Sequence, residues 1–495
     1  MTSPLDKTLR GIGWGGLSTS INVLFQLVFM AVMARLLDPV HFGLIAIANV
    51  VLRFLSYFAQ LGVGPAIVQK SELNGGDIGA ALSVSISISA ICTVAAVLFA
   101  PLAATFFGMP MLTGIIRALS INFILGGISA ISISLLRRDM RFKQIAILES
   151  TSYILGYGFV GVLLAYLGFG VWSLVGAVLS QSLLNTILAY GFSRHEIGWQ
   201  HHKDQRNHFF KFGTRYSIIG FIEFLSGSLD SMILGKFLGP AITGVYGRAS
   251  LLTSLPVQQP ANVITRVLFP IISRLESKRQ LAGLQISALT LGSYASAVSL
   301  GIVAAAPDIV KVLLGDKWLA AIPIVQILAL AVAPQFLSHL VGVTLDALGE
   351  LKLKLYTQAS VLALQLVTFF LLLPYGVLGV ASVIVFAEWV RFLLMARLIV
   401  RLLQPSIKEF QLVFLIILVA GLSSYGLIWL VAHAIPVGMT PWKHLILEML
   451  TGAIALLCVA WFSRNALAQL PVIAELAKRF PQLSILIPVP TVHKL

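Results

Sequence analysis

Arg53 stands about halfway along an apolar stretch, and Asn49, Tyr57 and Gln60 lie at i−4, i+4 and i+7 from it. On a helix those spacings put all four side chains on one face. A guanidinium in such a place offsets anionic charge and donates hydrogen bonds. The preceding apolar stretch adds Ser18, Asn22 and Gln26 at four-residue spacing. A later one carries Tyr216, Glu223 and Asp230 at successive sevens, with Gly220 and Gly227 beside them. In the stretch after it, Arg248, Gln259, Asn262 and Arg266 form one stripe, and Pro256 and Pro260 are expected to bend the helix. Gln335, His339 and Asp346 share a further stretch.

On insertion scales an ionisable group at mid-bilayer costs roughly 2.5–3.5 kcal/mol. These residues therefore require either a hydrated cavity with cationic groups or a set of interhelical hydrogen bonds and locked ion pairs. In the first reading Arg53, Arg248, Asn22, Gln26, Asn49, Tyr57 and Gln60 line a binding cavity, and Asp230 and Glu223 couple it to an ion. In the second, Glu223 or Asp230 neutralises Arg53 or Arg248. Glu388 and Arg391, at i,i+3, read as a self-satisfied pair. Arg117, near a span end, reads as a side chain that snorkels to the interface.

The elements that must hold these groups follow from composition. Of 495 residues, 58% are hydrophobic and 11% charged, more apolar surface than a soluble chain can hide. Apolar runs of about 20 residues predict an all-α polytopic membrane protein with about fourteen transmembrane helices, since helices satisfy their own backbone in hydrocarbon. Arg137, Arg138, Arg141 and Lys143, the stretch Arg194 to Arg215, and Arg274 with Lys278 and Arg279 fall on one side of the membrane. The opposite loops hold Arg35, Lys236, Lys311, Lys317, Lys443 and little else. This asymmetry predicts both termini on the cytoplasmic side, and it explains the net charge of +15 as topology rather than as nucleic-acid binding.

No cleavable signal peptide is expected, because the first apolar segment is too long for one. Cys92 and Cys458 fall in different spans and predict neither a disulfide framework nor a metal site. Gly11-Ile12-Gly13-Trp14-Gly15-Gly16 superficially resembles a nucleotide loop, but it opens a transmembrane helix, where close packing is its expected use. No cofactor is expected.

The chain begins twice. Ala34-Arg35-Leu36-Leu37-Asp38-Pro39-Val40-His41-Phe42-Gly43 is echoed in register by Gly235-Lys236-Phe237-Leu238-Gly239-Pro240-Ala241-Ile242-Thr243-Gly244. Tyr166-Leu167-Gly168-Phe169-Gly170-Val171 and Pro374-Tyr375-Gly376-Val377-Leu378-Gly379-Val380 form a weaker echo. Six spans per copy, an even number, give a parallel repeat: an N-lobe over 1–192 and a C-lobe over 212–401. A polar cytoplasmic linker, 193–211, joins them. Its His195, His201, His202 and His208 have the spacing of metal ligands, but no cysteine or carboxylate constellation completes a site. Two additional spans occupy 402–463, and a cytoplasmic tail, 464–495, is expected to lie on the inner membrane surface.

The motif from Ala34 to Gly43, with Leu61-Gly62-Val63-Gly64-Pro65-Ala66-Ile67-Val68-Gln69-Lys70, resembles the opening of the bacterial polysaccharide transporter family, part of the multidrug/oligosaccharidyl-lipid/polysaccharide superfamily. Gly235-Lys236-Phe237-Leu238-Gly239 and Val267-Leu268-Phe269-Pro270 are similar to its second-half counterparts, and the likeness is greatest to colanic-acid- and xanthan-type exporters. The resemblance implies an inner-membrane flippase that moves undecaprenyl-diphosphate-linked oligosaccharide repeat units to the outer leaflet by alternating access. It also implies coupling to H+ or Na+, with a polysaccharide polymerase and export machinery as partners. It transfers no invariant motif.

A multidrug cation antiporter of the same superfamily is the alternative, and it would favour a net acidic cavity. A membrane enzyme would need a sizeable extramembrane catalytic loop, which the short outer loops do not offer.

Overall fold

The computed structural model describes residues 21–59, 67–68, 73–194, 217–272, 277–404, 406–434 and 439–468, and all regular structure among them is helical. Ten stretches among them are long and apolar enough to cross a membrane, so the chain is an all-α polytopic membrane protein.

The first unit comprises residues 1–247 with 313–317. It opens with α1 (Ile21–Leu36), a shorter apolar helix, then α2 (Pro39–Ala59) and α3 (Gly75–Phe107). A capping box starts α3: the Asn74 side chain accepts the Asp77 N–H at 2.9 Å, and the Asp77 carboxylate accepts the Asn74 N–H at 3.1 Å. The helix ends at Gly108, whose φ of 70° is the left-handed cap that glycine allows. Next come α4 (Met111–Leu119) and α5 (Ile121–Arg138), which together make one crossing, then α6 (Phe142–Tyr166) and α7 (Val171–Ser193). Residues Ile154–Gly161 of α6 are π-helical. There Gly156 lies against the α7 backbone, where a Cβ would stand 2.6 Å from Gln181 Cα. Tyr153 stacks on Tyr157, and Phe29 of α1 meets Tyr157 edge-on, both at 4.8 Å. The helix α8 (Ser217–Phe237) packs against α2, and α9 (Gly239–Ile272) begins in this unit. Ile67, Ala81, Val84, Ile88, Cys92 and Ile131 form part of the core.

The second unit comprises residues 248–312 and 318–495. After the rest of α9 come α10 (Ser277–Leu313), α11 (Ala321–Ala329) and α12 (Val332–Ala347). They are followed by α13 (Leu351–Leu372), α14 (Gly376–Leu403), α15 (Ile407–Ala434) and α16 (Pro441–Ala468). Its core gathers Leu284, Phe336, Leu340, Met395 and Ile399. Two prolines here leave helix carbonyls without a backbone donor, because proline lacks the N–H that would reach back four residues. Opposite Pro260, the Pro256 carbonyl accepts the Tyr294 hydroxyl at 3.0 Å. Opposite Pro307, the Val303 carbonyl accepts the Gln326 amide at 3.4 Å.

Large apolar side chains point outward on both units, among them Leu98, Phe99 and Leu102 of α3 and Phe370 and Leu371 of α13. In water such a surface would aggregate; in a bilayer it faces its own solvent.

Candidate functional site

The two copies of the repeated motif meet. Gly43 lies against Pro240, where a Cβ would come 1.7 Å from the Pro240 carbonyl oxygen, and Gly244 lies against Pro39, with the corresponding distance 1.9 Å. Each copy thus offers its glycine to the other copy's proline. The exchange is reciprocal, and backbone atoms fill the space that a side chain at either glycine would need.

The cations of the motif grip helix ends. Arg35 Nη1 donates to the Ala31 carbonyl at 2.8 Å and to the Leu313 carbonyl, at the end of α10, at 3.5 Å. Lys236 Nζ donates to the Phe106 carbonyl near the end of α3, and lies 4.7 Å from the centre of the Phe106 ring. Cations suit these places because helix C-termini carry partial negative charge on unpaired carbonyls. Asp38 adds an ion pair with Lys317 at 3.1 Å. Sequence reading places Arg35 and Lys236 in loops but does not reveal what they hold.

Further along α2, Asn49 and Arg53 are both exposed, one turn apart on one face. The Ser56 hydroxyl donates to the Arg53 carbonyl at 2.7 Å. Beside Arg53, Phe54 approaches Phe224 of α8, with ring centres 6.3 Å apart. Asn22 and Gln26 are half-buried on α1. The backbone of Tyr57 continues α2, but its side chain and all of Gln60 lie outside the described residues, as does Ser18.

In α8 the half-buried Asp230 carboxylate accepts two hydrogen bonds, from the Tyr246 hydroxyl at 2.8 Å and from the Ser231 N–H at 2.6 Å. Tyr246 itself is buried. The side chains of Glu223, Gln259, Asn262 and Arg266 lie outside the described residues. Arg248 is half-buried and is the first residue of the second unit.

Two other intramembrane charges are spent on neighbours. Asp346 pairs with Lys354 at 2.9 Å, and Glu388 pairs with Arg391 at 2.7 Å, the latter as its spacing predicts. Arg117 is exposed near its span end. Sequence reading passes over one cluster, Asp308 with His444 and Glu448. The four-residue spacing of His444 and Glu448 is its one visible signal.

These helices share their fold with solved polytopic membrane transporters. A solved structure of the lipid II flippase MurJ, in an inward closed conformation, matches with a TM-score of 0.69. The match covers 90% of this chain and 98% of that one at 13% identity. The chain belongs to the polysaccharide biosynthesis protein family, whose sequence profile matches residues 32–323. Among curated relatives it is 29% identical over 329 residues to the succinoglycan biosynthesis transport protein ExoT of Rhizobium meliloti. It is 22% identical over 328 residues to the lipopolysaccharide biosynthesis protein WzxC of Escherichia coli. Each alignment covers 65% of this chain, and they span 65% and 66% of the two relatives, just under two thirds of their length. It is a multi-pass membrane protein.

Proposed function

We propose that this protein is a flippase that carries undecaprenyl-diphosphate-linked oligosaccharide repeat units from the inner to the outer leaflet for exopolysaccharide or O-antigen-type synthesis. The reading includes a two-lobe repeat of about fourteen spans with both termini inside, its N-lobe over 1–192 and its C-lobe over 212–401, plus two terminal helices.

The observation that carries it is the exchanged contact of the two motif copies. Gly43 on Pro240 and Gly244 on Pro39 give a compact joint near the ends of α1, α2, α8 and α9. In the proposed orientation this joint is periplasmic and holds the outer side shut. Rocking the lobes about a shared axis would part it and admit the substrate headgroup to the other leaflet.

Support for a cationic path comes from α2. Asn49 and Arg53 are exposed in the second half of the span Pro39–Ser56, and lipid contact with a charge there is costly, so we assign that face to a water-filled cavity. Arg53, with Arg248, would offset the diphosphate charge while the polyprenyl tail stays in hydrocarbon. Asn22, Gln26, Asn49, Tyr57 and Gln60 belong to the same proposed cavity. Carrying two negative charges outward across a 100 mV inside-negative potential is favourable by about 5 kcal/mol, at 2.3 kcal/mol per charge. Asp230 and Glu223 are the proposed groups for H+ or Na+ coupling, and a polymerase would consume the product outside.

The test is leaflet assignment of the lipid-linked repeat unit. Cells lacking the protein should accumulate it with headgroups facing the cytoplasm, and the intact gene should restore outward exposure. Outward exposure that persists without the protein would refute the proposal.

A further inference from the structure

Asp308, His444 and Glu448 each present one ligand atom, and these three atoms lie within 4.8 Å of one another. We infer that they form a binding site for a divalent cation, Zn2+ or Mn2+, which fastens the last helix, α16, to α10 within the second unit.

The site is built by packing. Along α10, Gly292 admits Ile417 of α15, with a Cβ at this glycine only 2.7 Å from Ile417 Cδ1. Ser296 of α10 similarly meets Gly421 of α15, and Ile428 of α15 lies against both Gly301 of α10 and Gly452 of α16. The start of α16 is thereby brought to the end of α10, where Pro307 precedes Asp308.

His444 Nδ1 lies 2.5 Å from Asp308 Oδ2 and 3.5 Å from Glu448 Oε1. In a tetrahedral site with metal–ligand bonds of 2.0–2.1 Å, neighbouring ligand atoms stand about 3.3 Å apart. The two separations from His444 straddle that value and the third pair lies within 4.8 Å, so small side-chain adjustments seat an ion.

Glu448 is the most deeply buried of the three. Its side chain is 1% exposed, and with the carboxylate ionised Oε2 has no donor among the described residues. Two carboxyls this close, one of them buried, are costly unless a proton or a metal ion lies between them, and one imidazole cannot neutralise two ionised acids. The nearby lysines are turned elsewhere: Lys311 and Lys443 are both exposed, and Lys443 lies over the Trp442 ring at 5.4 Å. One imidazole and two carboxylates suit Zn2+ or Mn2+. Ca2+ prefers an all-oxygen cage, and Cu+ prefers sulfur. Three protein ligands leave a further position for water.

The experiment uses the full-length protein in detergent, stripped with EDTA, freed of any affinity tag and titrated with ZnCl2 or MnCl2 alone. The linker histidines are the same in every variant, so the reading is the difference between variants. The intact protein should hold one equivalent more than Glu448→Gln or Asp308→Asn, each weakening that equivalent by more than about 100-fold, the upper end of what losing an outer partner costs. X-ray absorption of the zinc-loaded intact protein should report one imidazole with oxygen ligands. Equal binding by folded variants overturns the inference. If the variants fail to fold, a zinc shell of several imidazoles, or no bound zinc, overturns it instead. Because no step reads export, this test can fail without touching the flippase proposal.

Discussion

Gly43 lies so close to Pro240 that a Cβ on it would stand 1.7 Å from a backbone oxygen. A backbone carbonyl cannot swing aside as a long side chain can. The nearest atoms to a Cβ on Gly244 are likewise backbone atoms, of Pro39 and Gly43. Any larger residue at either glycine must push the two motif copies apart. Gly43→Ala is expected to cost about 1–3 kcal/mol of stability, the usual range for overpacking, and to cut export by at least tenfold. Gly247→Ala, where a Cβ meets nothing within 4 Å among the described residues, should leave both unchanged. Thermal unfolding in detergent and polymer yield in a complemented deletion strain measure the two effects. Wild-type export by a well-expressed Gly43→Ala protein would show that the joint does not gate transport.

Arg53 tests the cavity rather than the joint. Arg53→Ala should insert and fold, because the side chain is exposed, yet export should fall by roughly 30-fold or more, the factor for losing about 2 kcal/mol of charge-assisted phosphate contact. Arg53→Lys should recover part of the loss, since lysine keeps the charge without the bidentate fork. Quantified export at matched membrane abundance decides it, and an alanine variant that exports normally removes Arg53 from the path.

Some of this is legible in the sequence and some is not, for physical reasons. The motif copies declare themselves because proline and glycine recur in register, and Asn49 and Arg53 because helical spacing puts them on one face. The Glu388–Arg391 pair follows from i,i+3 spacing alone. The grips of Arg35 and Lys236 leave no trace, because their partners are backbone carbonyls, which any residue supplies. For Asp230 the sequence offers Arg248 as a neutralising partner, but the carboxylate accepts a phenol, Tyr246, that spacing does not single out. Asp308 and His444 come from helices far apart in the chain, so only packing unites them.

Asp230 and Tyr246 should behave as a coupled pair. Tyr246→Phe removes one of the two hydrogen bonds that the carboxylate accepts and leaves the Ser231 N–H in place. Side-chain hydrogen bonds between membrane helices average about 0.6 kcal/mol and reach about 1.7 kcal/mol in double-mutant cycles. A cycle of Tyr246→Phe with Asp230→Asn, read by unfolding, should give coupling in that range. Strict additivity would mean that the hydroxyl contributes nothing to Asp230. In the transport assay, Asp230→Asn should lose its response to external pH while folding normally, and an unchanged pH response would remove Asp230 from coupling.

The repair at Pro260 makes the sharpest prediction of packing. Proline leaves the Pro256 carbonyl without its backbone donor, and the Tyr294 hydroxyl supplies one at 3.0 Å. Tyr294→Phe should therefore lower stability by about 0.6–1.7 kcal/mol, as such membrane hydrogen bonds do. Pro260→Ala restores an N–H aimed back four residues at the same carbonyl, so in that background the phenol becomes redundant. The expected cycle is strongly non-additive: Tyr294→Phe costs stability with Pro260 present and almost nothing in the Pro260→Ala background. Melting temperatures of the four proteins in one detergent test it. An equal cost in both backgrounds would mean that Tyr294 stabilises through its ring, and that the carbonyl finds its donor elsewhere.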